Sequence, residues 1–173
     1  LGFKPETGYT VSDTYLGRQN VLSIGFGYRT VGYNNRDTKM WTVDMLYEQK
    51  FGDLVPNLQV GLINKSDAGG IADLKVNQLY IQGGVLFDQM VGIGKPALAV
   101  RLEQNKNEIS NISSKPTRLG VWGHYYIKGQ AAKVSLGLDS VSLNSDAKNV
   151  CLDIVSHRCR NFTDITLQFQ TQF

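Results

Sequence analysis

Long apolar runs are missing from this chain of 173 residues: the longest is Ala97-Leu98-Ala99-Val100. A membrane-crossing helix needs about 20 such residues, and no run here approaches that. A barrel needs none, because its strands carry apolar side chains only at every second position. Proline is scarce, at 4 residues, which removes Pro-rich linkers and leaves strands largely uninterrupted. Histidine occurs twice and cysteine twice, too few for a disulfide-dense scaffold or a His-rich metal site. Charge is nearly balanced, with 18 Lys and Arg against 15 Asp and Glu. No basic run exceeds two residues, so nucleic acid is set aside as a partner. Any secretory leader lies upstream of Leu1 or has been removed, since no charged n-region or apolar h-region is visible.

What is present is alternation. The last ten residues place Ile165, Leu167, Phe169 and Phe173 on one face of a strand, with Asp164, Thr166, Gln168, Gln170 and Gln172 on the other. A strand that ends on an aromatic residue with one oily face suits a bacterial outer-membrane barrel. Seven further segments alternate in the same way, over residues 20–31, 40–50, 58–65, 76–87, 97–105, 118–128 and 132–143. None sustains the i, i+3, i+4 spacing of a helix. The segment 132–143 breaks parity, because Val141 and Leu143 fall opposite Leu138; a bulge near Asp139-Ser140 or an early exit from the bilayer is expected.

The connections form two classes. Residues 52–57, 89–96 and 129–131 are short turns, whereas 32–39, 66–75, 106–117 and 144–163 are longer and polar. Short turns on one rim and long loops on the other are the asymmetry of outer-membrane barrels. The long set is therefore expected to be extracellular, and the chain terminus periplasmic. Tyr28 and Trp41 should meet at the outer rim, with Tyr47, Phe87 and Phe173 at the inner one, the two depths that amphipathic rings prefer. The fold class predicted is all-β, a transmembrane antiparallel β-barrel with eight strands over 20–173. Residues 1–19 read as the end of a preceding strand and a periplasmic connection.

Parity assigns pore-lining residues. Arg29, Lys50, Arg101, Arg118, Lys128 and Lys133 face Asp44, Glu48, Glu103 and Asp139 across the lumen, with His124 among them. Rings of charge select ions because a low-dielectric wall strengthens their field. The excess of cations predicts a weak preference for anions. A blander reading is that Arg101 and Glu103 pair across strands and stiffen the wall. A disulfide between Cys151 and Cys159 would close a short loop and contribute about 2–3 kcal/mol. A zinc site at Cys151, His157 and Cys159 lacks a fourth ligand. No metal or organic cofactor is implied.

Catalysis has little footing. His124 lies in mid-strand beside Trp122 and Tyr126, and Ser156-His157 are loop neighbours rather than a positioned nucleophile and base. An alternative function is a closed eight-stranded barrel acting as anchor or adhesin through residues 144–163, which carry Lys148, His157, Arg158 and Arg160 among apolar Val150, Leu152, Ile154 and Val155.

Three segments carry a family likeness: Pro5-Glu6-Thr7-Gly8-Tyr9 leading to Tyr15-Leu16-Gly17-Arg18-Gln19-Asn20-Val21-Leu22-Ser23-Ile24-Gly25; His124-Tyr125-Tyr126-Ile127-Lys128-Gly129-Gln130-Ala131-Ala132-Lys133-Val134; and Leu167-Gln168-Phe169-Gln170-Thr171-Gln172-Phe173. In this order they resemble the C-terminal half of the phosphate-selective porins (O and P type) of Gram-negative bacteria. The resemblance implies a sixteen-stranded, homotrimeric outer-membrane channel for small hydrophilic or anionic solutes, surrounded by outer-membrane lipid. It assigns no phosphate-binding residue on this chain.

Overall fold

The computed structural model describes residues 14–33, 36–68, 71–109, 112–144 and 160–171. Strands follow one another without a helix among the described residues: β1 (Val21–Tyr33), β2 (Arg36–Glu48), β3 (Leu54–Ser66), β4 (Lys75–Phe87), β5 (Lys95–Ile109), β6 (Ile112–Ser114), β7 (Thr117–Tyr126), β8 (Ala132–Ser142) and β9 (Phe162–Thr171). They form one antiparallel meander in the order β1-β2-β3-β4-β5-β7-β8-β9, with β6 folded back on the end of β5. All eight principal strands match the alternating segments. Most run further than the pattern indicates, because β1 and β2 pair to Tyr33↔Arg36 and β5 pairs with β6 to Ile109↔Ile112. Much of 32–39 and 106–117 is thus ladder, while 66–75 stays a connection between β3 and β4. At the other end β7 stops at Tyr126, and Ile127 and Lys128 belong to the turn.

Register aligns the oily positions into one continuous face. Phe26 lies opposite Val43, Val43 opposite Leu62, Val60 opposite Ile81, Ile81 opposite Leu102, Val100 opposite Val121, Val121 opposite Leu138, and Leu138 opposite Ile165. Tyr28 and Trp41 are direct partners near the long-loop end, as the pattern requires. No second layer covers this face among the described residues. Ile24 is 72% exposed, Phe26 75%, Ile165 70% and Phe169 71%.

The expected bulge in β8 is absent. β8 pairs without interruption from Ala132 to Val141 with β9 and from Lys133 to Ser142 with β7. Val141 simply sits on the polar face, opposite Arg118 and Phe162. An unbroken ladder keeps its backbone hydrogen bonds, and one valine on the wrong face costs less than breaking them.

Burial is concentrated on the polar face, at the short-turn end. Val55, Leu86 and Tyr126 form a small core, with Leu16 and Ala97 packed against it. Residues 14–18 cross that end as a strap. They meet Glu48 at the end of β2, Val55 on β3 and Gln130 in the β7–β8 turn. One short strap can touch such distant strands only if the sheet curls toward its polar face. Among the described residues the sheet does not close: β1 pairs only with β2, and β9 only with β8.

Candidate functional site

The polar face is the candidate site, and period-two geometry builds it. Arg29, Asp44, Glu48, Arg101, Glu103, Arg118, His124, Lys133 and Asp139 all share the parity opposite the oily face. Lys50 and Lys128 do not join them in the wall. Lys50 follows the end of β2 and is paired with Asp88 at the short-turn rim, while Lys128 lies exposed in the β7–β8 turn. Cys151, Cys159, His157 and Phe173 fall outside the described residues.

The charges are mostly not free rings. Arg101 pairs with Glu103, two residues along the same strand rather than across strands. Arg118 donates to Asp139 at 2.8 Å, and Asp139 is 1% exposed. Trp122 Nε1 reaches the other oxygen of Asp139 at 3.4 Å. Glu48, 0% exposed, is a cap instead of a pore charge. Its carboxylate accepts from Thr14 Oγ1 at 2.5 Å, Tyr15 N at 2.9 Å and Gly17 N at 2.9 Å. These bonds hold a turn in which Leu16 and Gly17 have φ of 58° and 72°. Left-handed backbone at a leucine is strained, and the triply bonded carboxylate fixes it. Arg29 and Lys133 make no ion pair among the described residues; Lys133 Nζ sits 5.9 Å from the Tyr126 ring centroid.

Cross-strand neighbours decide how far side chains project. Trp122 is the register partner of Gly137, and a Cβ on Gly137 would fall about 2.5 Å from three indole atoms. The indole therefore lies flat on the wall over the glycine. Tyr80 covers Gly61 in the same way, with Arg101 5.4 Å from its ring centroid. Small residues opposite large ones keep the polar face shallow. Beside Tyr80 and Gly61 runs a groove of about 410 Å³ lined by Asp44, Gln78, Tyr80, Arg101, Glu103 and Asn105.

His124 Nδ1 is 2.8 Å from Ser135 Oγ. The spacing would suit a nucleophile and base, but Ser135 is 1% exposed and its hydroxyl is shut away from any substrate. The bond tethers the imidazole to the wall.

The short-turn rim holds a site the sequence did not single out. Asp88 lies between Lys50 and Lys95, with Lys95 Nζ 2.5 Å from its second oxygen. The Lys50 bond first, then the Lys95 bond, hold this carboxyl below the usual aspartate range. The Lys50 contact joins residues 38 apart in the chain, which no local spacing could signal, and the Lys95 contact spans 7 residues across the β4–β5 turn. The Glu48 cap is likewise invisible to pattern, because a carboxylate at the end of a strand reads as a pore charge.

No family model, no curated protein and no solved structure matches this chain.

Proposed function

We propose that this chain forms part of the wall of an outer-membrane pore, through which small hydrophilic solutes diffuse passively with a weak preference for anions. One observation carries the reading: the burial is inverted. Large apolar side chains are exposed across eight strands, whereas Glu48, Ser135 and Asp139 are buried on the other face. In water this costs on the order of 25 cal/mol per Å² of uncovered apolar surface, and lipid removes that cost. The eight principal strands, 10–15 residues long, reach the roughly 9–11 that a tilted membrane strand needs.

Two edges without a partner among the described residues support a ring wider than eight strands, in line with the sixteen-stranded trimer implied by the porin likeness. Asp44, Ser23, Asp164 and Gln168 are exposed on the polar face, as expected of a passage not filled by side chains. With Arg101 and Arg118 neutralised by their partners, an anion preference rests on Arg29 and Lys133, set against the exposed Asp44 and Asp164. The test is planar-bilayer recording of the full-length protein. Stepwise conductance is expected, with a reversal potential in a KCl gradient displaced toward anions and moved toward cations by Lys133→Glu. A protein that inserts without conducting would refute the pore.

The strap favours a second reading, an eight-stranded barrel acting as anchor or adhesin. Residues 14–18 fill the short-turn end, as side chains fill small barrels. Cysteines placed at Ile24 on β1 and Leu167 on β9, in a background lacking Cys151 and Cys159, separate the two. An intramolecular cross-link means a small closed barrel; none means a wider ring.

A further inference from the structure

The oily face changes character toward the long-loop end, and on β4 and β5 it becomes basic. On β4 the outward positions beyond Leu79 are Asn77 and Lys75; on β5 those beyond Leu102 are Gln104, Lys106 and Glu108. Register gathers them. Asn77 is the cross-strand partner of Lys106, and Lys75 of Glu108, so all four share the side of Leu79 and Leu102. The Lys106 ammonium lies 2.6 Å from Glu108.

The end of β6 adds a third lysine. Ser113 stands opposite Glu108, and Lys115 follows it two residues later. Asn144, beyond β8, fixes that segment. Its Nδ2 donates to Ser113 O at 2.9 Å, and its Oδ1 accepts from Lys115 N at 2.7 Å. Lys75 and Lys115 both act on the Glu108 charge, although only Lys106 touches it. Three ammoniums therefore share one carboxylate, and Lys75 and Lys115 are exposed. The patch has an excess of positive charge.

The other rim is different. At the short-turn end the outward ladder holds Leu54, Phe87, Pro96, Tyr125 and Val134, with no charged residue among them. Depth also matters. Lys106 lies four residues past Leu102, and Lys75 four from Leu79, about 14 Å along a strand at roughly 3.4 Å per residue. A tilt of about 45° makes this about 10 Å above the last leucines, and lysine stems can reach back toward them. The headgroup layer occupies about 5–8 Å on each side of the hydrocarbon, so the ammoniums reach it.

We infer that Lys75, Lys106 and Lys115 form a docking patch for the phosphate headgroup of an outer-leaflet lipid. Its acyl chains lie on the apolar face around Leu79, Ile81 and Leu102, and its phosphate oxygens accept charge-assisted hydrogen bonds from the ammoniums. Continuity of the basic patch with the oily face favours a lipid over a free ion, because only a lipid uses both. This inference rests on the outer-membrane reading for the presence of the lipid.

The test uses the full-length protein in neutral detergent, titrated with lipid A, an acylated disaccharide bearing two phosphates, and read by native mass spectrometry. Removing both phosphates from the lipid should weaken retention about tenfold or more. The triple variant Lys75→Gln, Lys106→Gln, Lys115→Gln should lose as much. Glu108→Gln should strengthen retention by removing the competing carboxylate, and Lys128→Gln at the opposite rim should leave it unchanged. Equal retention of the phosphorylated and dephosphorylated lipids by the wild type overturns the patch, whether or not the triple variant folds. An equal loss in Lys128→Gln overturns it too, since net charge alone then governs retention. Displacement of lipid A by millimolar inorganic phosphate overturns the lipid in favour of a free anion. Bilayer recording keeps the pore separate. A conducting protein without phosphate-dependent retention loses the patch and keeps the pore, whereas phosphate-dependent retention without conduction loses the pore and keeps the patch.

Discussion

Glu48 shows how position changes the meaning of a residue. On a strand map it is one of four acidic groups facing a lumen, yet it is fully buried and bonded by three donors from residues 14–17. Removing it strands those donors without an acceptor. Glu48→Ala is therefore expected to lower stability by about 2–4 kcal/mol, read as an earlier urea midpoint of the refolded protein; an unchanged midpoint would dismiss the cap. Asp88 gives a pH test with a definite sign. Its carboxyl is held below the ordinary aspartate range by Lys50 and then Lys95. A depressed folded value means the stabilisation is complete above the ordinary aspartate range and is lost as pH falls through the lower, folded value. The two lysines are 43% and 36% exposed, so water screens the pairs and the effect is small. Acid titration of stability should differ between wild type and Asp88→Asn at neutral pH, and the two curves should converge in acid below that range. Parallel curves throughout would show that the pairs do not contribute.

At the scale of elements, the β7–β8 hairpin is tied to the strap through Gln130, which donates to Thr14 O. Its turn is closed by Ile127 N to Ala132 O at 2.9 Å and Ala131 N to Lys128 O at 3.1 Å. Gly129 takes a φ of +56° there, which a side chain resists by about 1–2 kcal/mol. Gly129→Ala should cost that much in a urea titration, and a neutral result would mean the turn has an alternative shape. Turn position was readable from Gly129-Gln130-Ala131, but the end of β7 was not. Ile127 continues the apolar parity of the strand, so pattern alone extends the strand to Lys128, whereas the turn hydrogen bonds begin at Ile127. The same limit produced the expected bulge in β8. Parity registers that Val141 changes face, but whether the chain kinks or tolerates a misplaced valine is a contest between ladder bonds and burial.

Across the whole molecule, one substitution separates a lipid-facing sheet from one that merely lacks a partner in water. Val121 is central in the apolar face and 45% exposed. Val121→Arg should destabilise the membrane-inserted protein by about 2–4 kcal/mol, the cost of a cation on a barrel's lipid face near midplane, measured by folding into vesicles across a urea series. A neutral or stabilising result would place this face in water or on another protein.

The division between sequence and tertiary structure follows from what each contact requires. Alternation is local: Leu22, Ile24, Phe26 and Tyr28 fall on one face of any extended chain, so strands and faces were legible from order alone. Charge pairing was not, because Arg118 with Asp139, and Lys50 with Asp88, depend on register between strands and on which rim a residue reaches. Nor was the flat lie of Trp122 legible, since it exists only because Gly137 happens to be its cross-strand partner. Sequence settled which side of the sheet is oily and which is polar. Tertiary structure alone decided which polar groups are spent on one another and which are left to meet a solute, because that depends on distances between residues far apart in the chain.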